Sequence, residues 1–181
     1  MTVDPRAPRG VGIRPRRPED LPALAAVLAA QQAYTGYPQR WPLPIPVEEF
    51  LHRPAQLQAW VAEVDDEVVG HVAAATVEPG DMATVWSAGT GRPLSELAEV
   101  SVLFVDHATA GRGVGSALLT TVVEYIRGSG LTPVLDVVQE TANAVRLYQR
   151  RGWQVVGESR PPWLPDDHLP VLLMVLPDDG A

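Results

Sequence analysis

Gly111, Gly113 and Gly115 recur at every other position in Gly111-Arg112-Gly113-Val114-Gly115-Ser116, directly before the apolar Ala117-Leu118-Leu119. Without Cβ atoms, such a stretch can turn successive backbone N–H groups toward one point and let a ligand approach the main chain closely. A helix beginning there adds unpaired amides and the positive end of its dipole, so the expected guest is a phosphate or pyrophosphate. Residue types exclude two common phosphate sites. A P-loop requires a lysine and this chain has none; read from Gly113, Leu118 stands where a G-x-G-x-x-G fingerprint needs its third glycine.

The element that must position this loop precedes it. Leu97 to Val105 alternates and then closes into a valine-rich apolar run, which predicts a strand buried on at least one face. Strict alternation would put Glu99, Ser101, Leu103 and Val105 on one face of it. Strand, glycine turn and helix start therefore follow one another without a gap.

Other chemistries fail on residue type or spacing. With no cysteine, the chain has no disulfide, thiolate metal site or cysteinyl acyl-enzyme. His52, His71, His107 and His168 are scattered, with no helical pair, so no metal site is expected. Ser116 does not lie in the G-x-S-x-G elbow of a serine hydrolase. The net charge is −8, and five arginines lie in the first seventeen residues against Asp4 alone, so the rest is more acidic still. An acidic body repels polyphosphate backbones, and no nucleic-acid partner is expected; a cationic or amine partner suits it better. No apolar signal core opens the chain, and its longest apolar run, Val171 to Leu176, is too short to span a bilayer, so a cytoplasmic protein with no membrane contact is expected.

Taken in order, residues 1–10 form a proline- and arginine-rich tail expected to be disordered, and 181 residues with 46% hydrophobic content suit one domain over residues 11–177. Val11 to Arg16 reads as a strand and Pro18 onward as a helix with Leu21, Leu24, Ala25, Val27 and Leu28 on its apolar face. Gln31 to Pro46 carries Tyr34, Tyr37 and Trp41 among four prolines and reads as an aromatic loop. A short helix over Val47 to Leu51 and a hairpin about Asp65-Asp66-Glu67 follow, and Glu78 to Ser95 reads as a long connection. Beyond the glycine loop come a helix with Leu118, Leu119, Val122, Val123 and Ile126 on one face, a strand over Pro133 to Gln139, a helix over Thr141 to Arg151, and strands Trp153 to Ser159 and Val171 to Leu176. A proline-stiffened loop, Pro161 to His168, precedes the last strand.

The hexad Ala110-Gly111-Arg112-Gly113-Val114-Gly115 behind AEVSVLFVDH resembles the GCN5-related N-acetyltransferase family, whose pyrophosphate loop reads Q/R-x-x-G-x-G/A between its fourth strand and third helix. Ala110 departs from that pattern at the first position. A second stretch, LDVVQETANAVRLYQRRGWQVVGE, resembles the family independently through Asn143, the Leu147-Tyr148 pair and the Gly152-Trp153 turn. The resemblance covers about Val11 to Leu176, with the specific motifs in Leu97 to Glu158.

What the resemblance implies is an α/β fold with a mixed, mostly antiparallel sheet of about seven strands and helices on both faces. Its cosubstrate would be acetyl-CoA, its reaction N-acetylation of a small-molecule amine by direct attack in a ternary complex. Gly111 to Ser116 would hold the pyrophosphate, with Leu103, Phe104 and Val105 lining the pantetheine and main-chain N–H groups of Phe104 or Val105 meeting the oxyanion. Asn143 would contact coenzyme A or cap its helix. Glu99, eleven residues before Ala110 as in the histone-acetyltransferase branch, would be the base, with Glu96, Asp81, His107 and His168 as rivals. Tyr148 would be the acid at the thioester sulfur. Tyr34, Tyr37, Trp41, Trp163, Asp166, Asp167 and His168 come from the two loops that border the acceptor in the family, though ring capping of the core explains the same residues. A protein or peptide acceptor and a non-catalytic acyl-CoA-binding module stand as alternatives, and the resemblance allows a homodimer.

Overall fold

The computed structural model describes residues 10–140 and 142–178, with the side chains of residues 142 and 143 outside the described set. Seven strands form one sheet in the order β1-β2-β3-β4-β5-β7-β6: β1 Val11–Pro15, β2 Gln56–Val64, β3 Glu67–Thr76, β4 Leu97–Val105, β5 Thr132–Val137, β6 Gln154–Ser159 and β7 Val171–Val175. β1 with β2, β2 with β3, β5 with β7 and β6 with β7 run antiparallel, whereas Leu97–Glu99 of β4 pair in parallel with Thr132–Val134 of β5. Among the described residues, five α-helices accompany them: α1 Leu21–Thr35, α2 Val47–Leu51, α3 Asp81–Thr90, α4 Val114–Gly128 and α5 Ala142–Arg150. The expected mixed α/β sheet of seven strands is therefore present. The chain divides into two compact units, residues 10–75 with 100–125 and residues 76–99 with 126–178.

In the first unit, Leu24 and Leu28 of α1, Phe50 and Leu51 of α2, Val61, Val102 and Phe104 make the core. Arg14 on β1 ties the start of this unit together. Its guanidinium holds both oxygens of Asp20 at 2.7 and 2.8 Å and reaches Glu63 on β2 at 2.8 Å. The hydrogen bonds from Arg14, with one from the Arg17 amide, keep the Asp20 carboxyl below its ordinary range. Helix α1 takes in the first five residues of the expected loop and closes on Gly36 in the left-handed conformation, φ 70°. Buried Gln31 makes that extension possible: its amide donates to the carbonyls of Leu28 and Tyr37, and its oxygen accepts from Thr35. Tyr34 is thus helical, and only Tyr37 and Trp41 lie in the loop. The β2–β3 hairpin turns at Asp65 and Asp66, both with positive φ, as two-residue hairpins require.

Strand β4 holds a feature that its sequence does not advertise. Val102 has φ 51°, a left-handed backbone that a β-branched residue rarely adopts. Of the residues expected on one face, Glu99, Leu103 and Val105 are half-buried and Ser101 is buried. His71 of β3, fully buried, lies with Nδ1 2.8 Å from the Val102 carbonyl and Nε2 3.1 Å from a guanidinium nitrogen of Arg16. Burial, opposed by the Val102 hydrogen bond and aided by the Arg16 charge, pushes the His71 pKa down to about 4 from 6.5.

That shift fixes a sign for acid stability. Between the folded and unfolded values the unfolded chain binds more protons at this residue, so stability falls as pH drops from 6.5 toward 4, by about 3 kcal/mol in all. Urea unfolding across that range will show the loss, and His71→Asn will lack this share of it. A slope identical in the two proteins would refute the assignment.

In the second unit, Trp86 of α3, Leu97, Val134, Val171 and Leu173 are buried together, with Val85, Val156 and Trp163 packed against them. Residues 78–95, expected as a plain connection, therefore contain a helix whose Trp86 is only 2% exposed. Among the described residues the glycine loop in consequence leads into the fourth α-helix, not the third. Helix and strand meet here through glycines: a Cβ on Gly89 would lie 2.5 Å from Cβ of Val156, and one on Gly157 would collide with Val85. Gly89→Ala gains about 1 kcal/mol of helix propensity but forces an overpacked contact that costs about 1–3 kcal/mol. We expect net destabilisation in urea, reversed when Val156→Ala is added; a stabilised single variant would contradict the contact.

Candidate functional site

The loop after β4 is built in two steps. Asp106 accepts a hydrogen bond from the Ala108 amide at 2.9 Å and starts a single 3-10 turn, His107–Thr109, which Ala110 ends by donating to the His107 carbonyl at 3.1 Å. Thr109 fixes the turn from inside through its hydroxyl on the Asp106 carbonyl, 2.8 Å. The backbone then turns left-handed at Gly111, φ 80°, and at Gly113, φ 76°, before α4 starts at Val114. The helix thus begins three residues earlier than the apolar run suggested, and Gly115 and Ser116 lie in its first turn. Amides in a first turn have no intrahelical acceptor.

Open space at the loop leaves room for a guest. A Cβ on Gly111 would meet nothing within 4 Å, so the left-handed turn faces open space. Ala110 and Arg112 are exposed, and their amides donate to the carbonyls of His107 and Thr109. Gly70 of β3 lets α4 and β4 come close, since a Cβ there would lie 3.0 Å from Leu118 and 3.1 Å from the Phe104 carbonyl oxygen. Leu118, Val122 and Ile126 are fully buried along α4. Phe104 is buried, with Leu103 and Val105 half-buried beside it in sequence.

Around the loop, the first unit groups some expected residues and separates others. Tyr34, 67% exposed at the end of α1, stacks on His107 with ring centres 3.9 Å apart and planes 5° apart. Nothing in the sequence announces this contact, since the prolines place Tyr34 in a loop and His107 stands only as a rival base. Tyr37 packs instead against Phe50 in the core, 6.2 Å between centres, while Trp41 is 38% exposed.

The second unit holds the remaining candidates. Tyr148, in the last turn of α5, meets Trp153 edge to face at 5.9 Å, and its carbonyl accepts from the amides of Arg151 and Trp153 across the left-handed Gly152, φ 87°. Burial first, then the nearby Asp136 carboxylate, push its phenol up to about 12, against a smaller opposing effect of Arg151. Glu99 is half-buried and paired in register with Val134. Of its rivals, Glu96 lies exposed 3.5 Å from Arg92, Asp81 is exposed at the start of α3, and the His168 ring stands 3.9 Å from Glu140. Glu140 also accepts from the Leu169 amide at 2.7 Å, which holds its carboxyl below the usual range. Asp166 and Asp167 are exposed, and Trp163 lies against the core of this unit. The side chain of Asn143 lies outside the described residues. Among the described residues, no three His, Asp or Glu side chains are grouped as a metal site would need, and no helix is long and apolar enough to cross a membrane.

A seven-stranded mixed sheet whose fourth strand runs through a glycine turn into a helix defines the acyl-CoA N-acyltransferase class of fold. The sequence model of the acetyltransferase (GNAT) family matches residues 24–153, and the chain belongs to that family, whose cosubstrate is acetyl-CoA. A mycothiol acetyltransferase of Acidothermus cellulolyticus is 35% identical over 162 residues, covering 83% of this chain and 46% of that protein. The chain spans about half the length, or less, of the relatives it matches in sequence. Among solved structures, the ribosomal-protein-S18-alanine N-acetyltransferase from Escherichia coli superposes with a TM-score of 0.67 at 18% identity, over 94% of this chain and 96% of that one. Arabidopsis thaliana NAA60 in complex with acetyl-CoA superposes with a TM-score of 0.67 at 22% identity, over 91% and 97%.

Proposed function

We propose that the chain transfers the acetyl group of acetyl-CoA to the primary amine of a small molecule by direct attack. The observation that carries this reading is the left-handed pair Gly111 and Gly113 opening onto the first turn of α4, in a chain of the acetyltransferase family. Gly111 to Ser116 bind the pyrophosphate through main-chain amides, with Leu103, Phe104 and Val105 along the pantetheine. Glu99 takes the proton that the amine nitrogen loses as its lone pair forms the new bond to the carbonyl carbon. The carbon–sulfur bond then breaks and the thiolate leaves. A phenol with a pKa of about 12 lies well above a thiol's, near 8.5, so Tyr148 acts by donating a hydrogen bond to the departing sulfur, and solvent completes the protonation.

The small-molecule acceptor is supported by two relatives that each match most of this chain and whose names carry mycothiol. A peptide acceptor is the second reading, favoured by the exposure of Tyr34, Trp41 and Ile45 in and after α1. Thermal unfolding with acetyl-CoA tests the coenzyme site: at 100 times its dissociation constant the ligand adds about 2.7 kcal/mol of stability. Thiol release during a screen of small amines against N-terminal peptides then separates the two acceptors. No rise in Tm at millimolar acetyl-CoA would sink the enzyme reading.

A further inference from the structure

Val102 is the residue of β4 with a positive φ, and donor logic names the groups that hold it. A guanidinium has no acceptor, so the His71 nitrogen 3.1 Å from Arg16 must be the bare Nε2. The proton therefore sits on Nδ1 and is donated to the Val102 carbonyl at 2.8 Å. Arg16 is held in turn by the Leu51 carbonyl at the end of α2. The His71 ring also lies on Phe104, 5.6 Å between centres and 25° between planes, so it grips β4 on both sides of Leu103.

An apolar residue at position 71 would fill the same space without burying a polar ring that needs two partners. A β-branched residue stays left-handed only where its surroundings over-determine it, and such outliers cluster at active sites. We propose that His71 is a positioning residue for acetyl transfer: by fixing the Val102 carbonyl in its left-handed turn, it directs the amide of Phe104 or Val105 at the thioester oxygen. The inference rests on the reading of Phe104 or Val105 as the main-chain oxyanion donor.

Isotope-edited infrared spectra of carbonyl-labelled acetyl-CoA test it without an acceptor, because hydrogen bonding at the carbonyl lowers its stretching frequency. The band will shift down on binding to the wild type and to His71→Asn, whose side-chain N–H can replace Nδ1–H. In His71→Leu the downshift will be lost, while acetyl-CoA affinity falls about fivefold or less. A folded His71→Leu that keeps the downshift would overturn the proposal. Binding to the wild type with no downshift would overturn both the donors and the role of His71 while leaving the coenzyme site; no binding at all would overturn the acetyl-transfer reading itself. Should His71→Leu not fold, nitrogen NMR of labelled histidine in the wild type decides: an Nδ1–H tautomer whose signal moves on adding acetyl-CoA supports the proposal, and an Nε2–H tautomer or an unmoved signal overturns it.

Discussion

Replacing Gly113 by valine will abolish the rise in Tm that acetyl-CoA gives the wild-type protein. Gly113 has φ 76°, where a β-branched residue costs about 1–2 kcal/mol, and the residue immediately precedes the first turn of α4. Valine can relieve that cost only by rotating the backbone out of the left-handed region, which turns the adjoining amides away from their common focus. Several charge-assisted hydrogen bonds to the pyrophosphate are then lost together, each worth about 1.5–3 kcal/mol, so affinity should fall by about a hundredfold or more. The folded state should survive, because the loop is held from Asp106 to Thr109 by bonds that do not involve Gly113. A Gly113→Val protein that unfolds cooperatively but keeps the acetyl-CoA shift would move the pyrophosphate elsewhere.

Tyr148→Phe should lower kcat about a hundredfold, with the KM for acetyl-CoA nearly unchanged. The magnitude is that of losing one hydrogen-bond donor aimed at charge that develops only in the transition state. Because burial and Asp136 hold the phenol at about 12, it stays protonated through any ordinary assay range. The alkaline limb of the wild-type rate profile must then belong to another group, and the variant should keep the same limb at lower height. If Tyr148→Phe raised KM and left kcat intact, the residue would bind coenzyme without assisting departure of the thiolate. Its linkage to stability has the opposite sign to that of His71. A raised phenol contributes stability below its unfolded value near 10, and that contribution is lost as pH climbs through 12.

What could be read from residues alone divides along a physical line. The glycine hexad, the hairpin turn at Asp65 and Asp66 and the stop at Gly152 are properties of the local backbone, and each stands where the sequence puts it. Helix α3 escaped because Thr84, Val85, Ser87, Gly89 and Thr90 are poor helix formers. Its glycine answers to Val156, sixty-seven positions away, and no window of neighbouring residues contains that contact. The extension of α1 through Tyr34 depended on buried Gln31 bonding across the turn, where an amide in sequence reads as surface. Val102 shows the same limit inside the candidate site. Valine in an apolar run predicts extended backbone, and only His71, from another strand, reveals why it is not. His71 itself, read as one of four scattered histidines, is the functional candidate that spacing could not single out.

The facing of Gly89 by Val156 and of Gly157 by Val85 has a consequence for how this chain can drift. At each contact one partner has already been reduced to a hydrogen atom, so bulk is a shared quantity that can be traded across the contact but not added to it. Descendants of this sequence should vary residues 85 and 157 in opposition, and 89 and 156 likewise. A lineage that enlarges Gly157 while keeping Val85 would have to shift the helix off its strand.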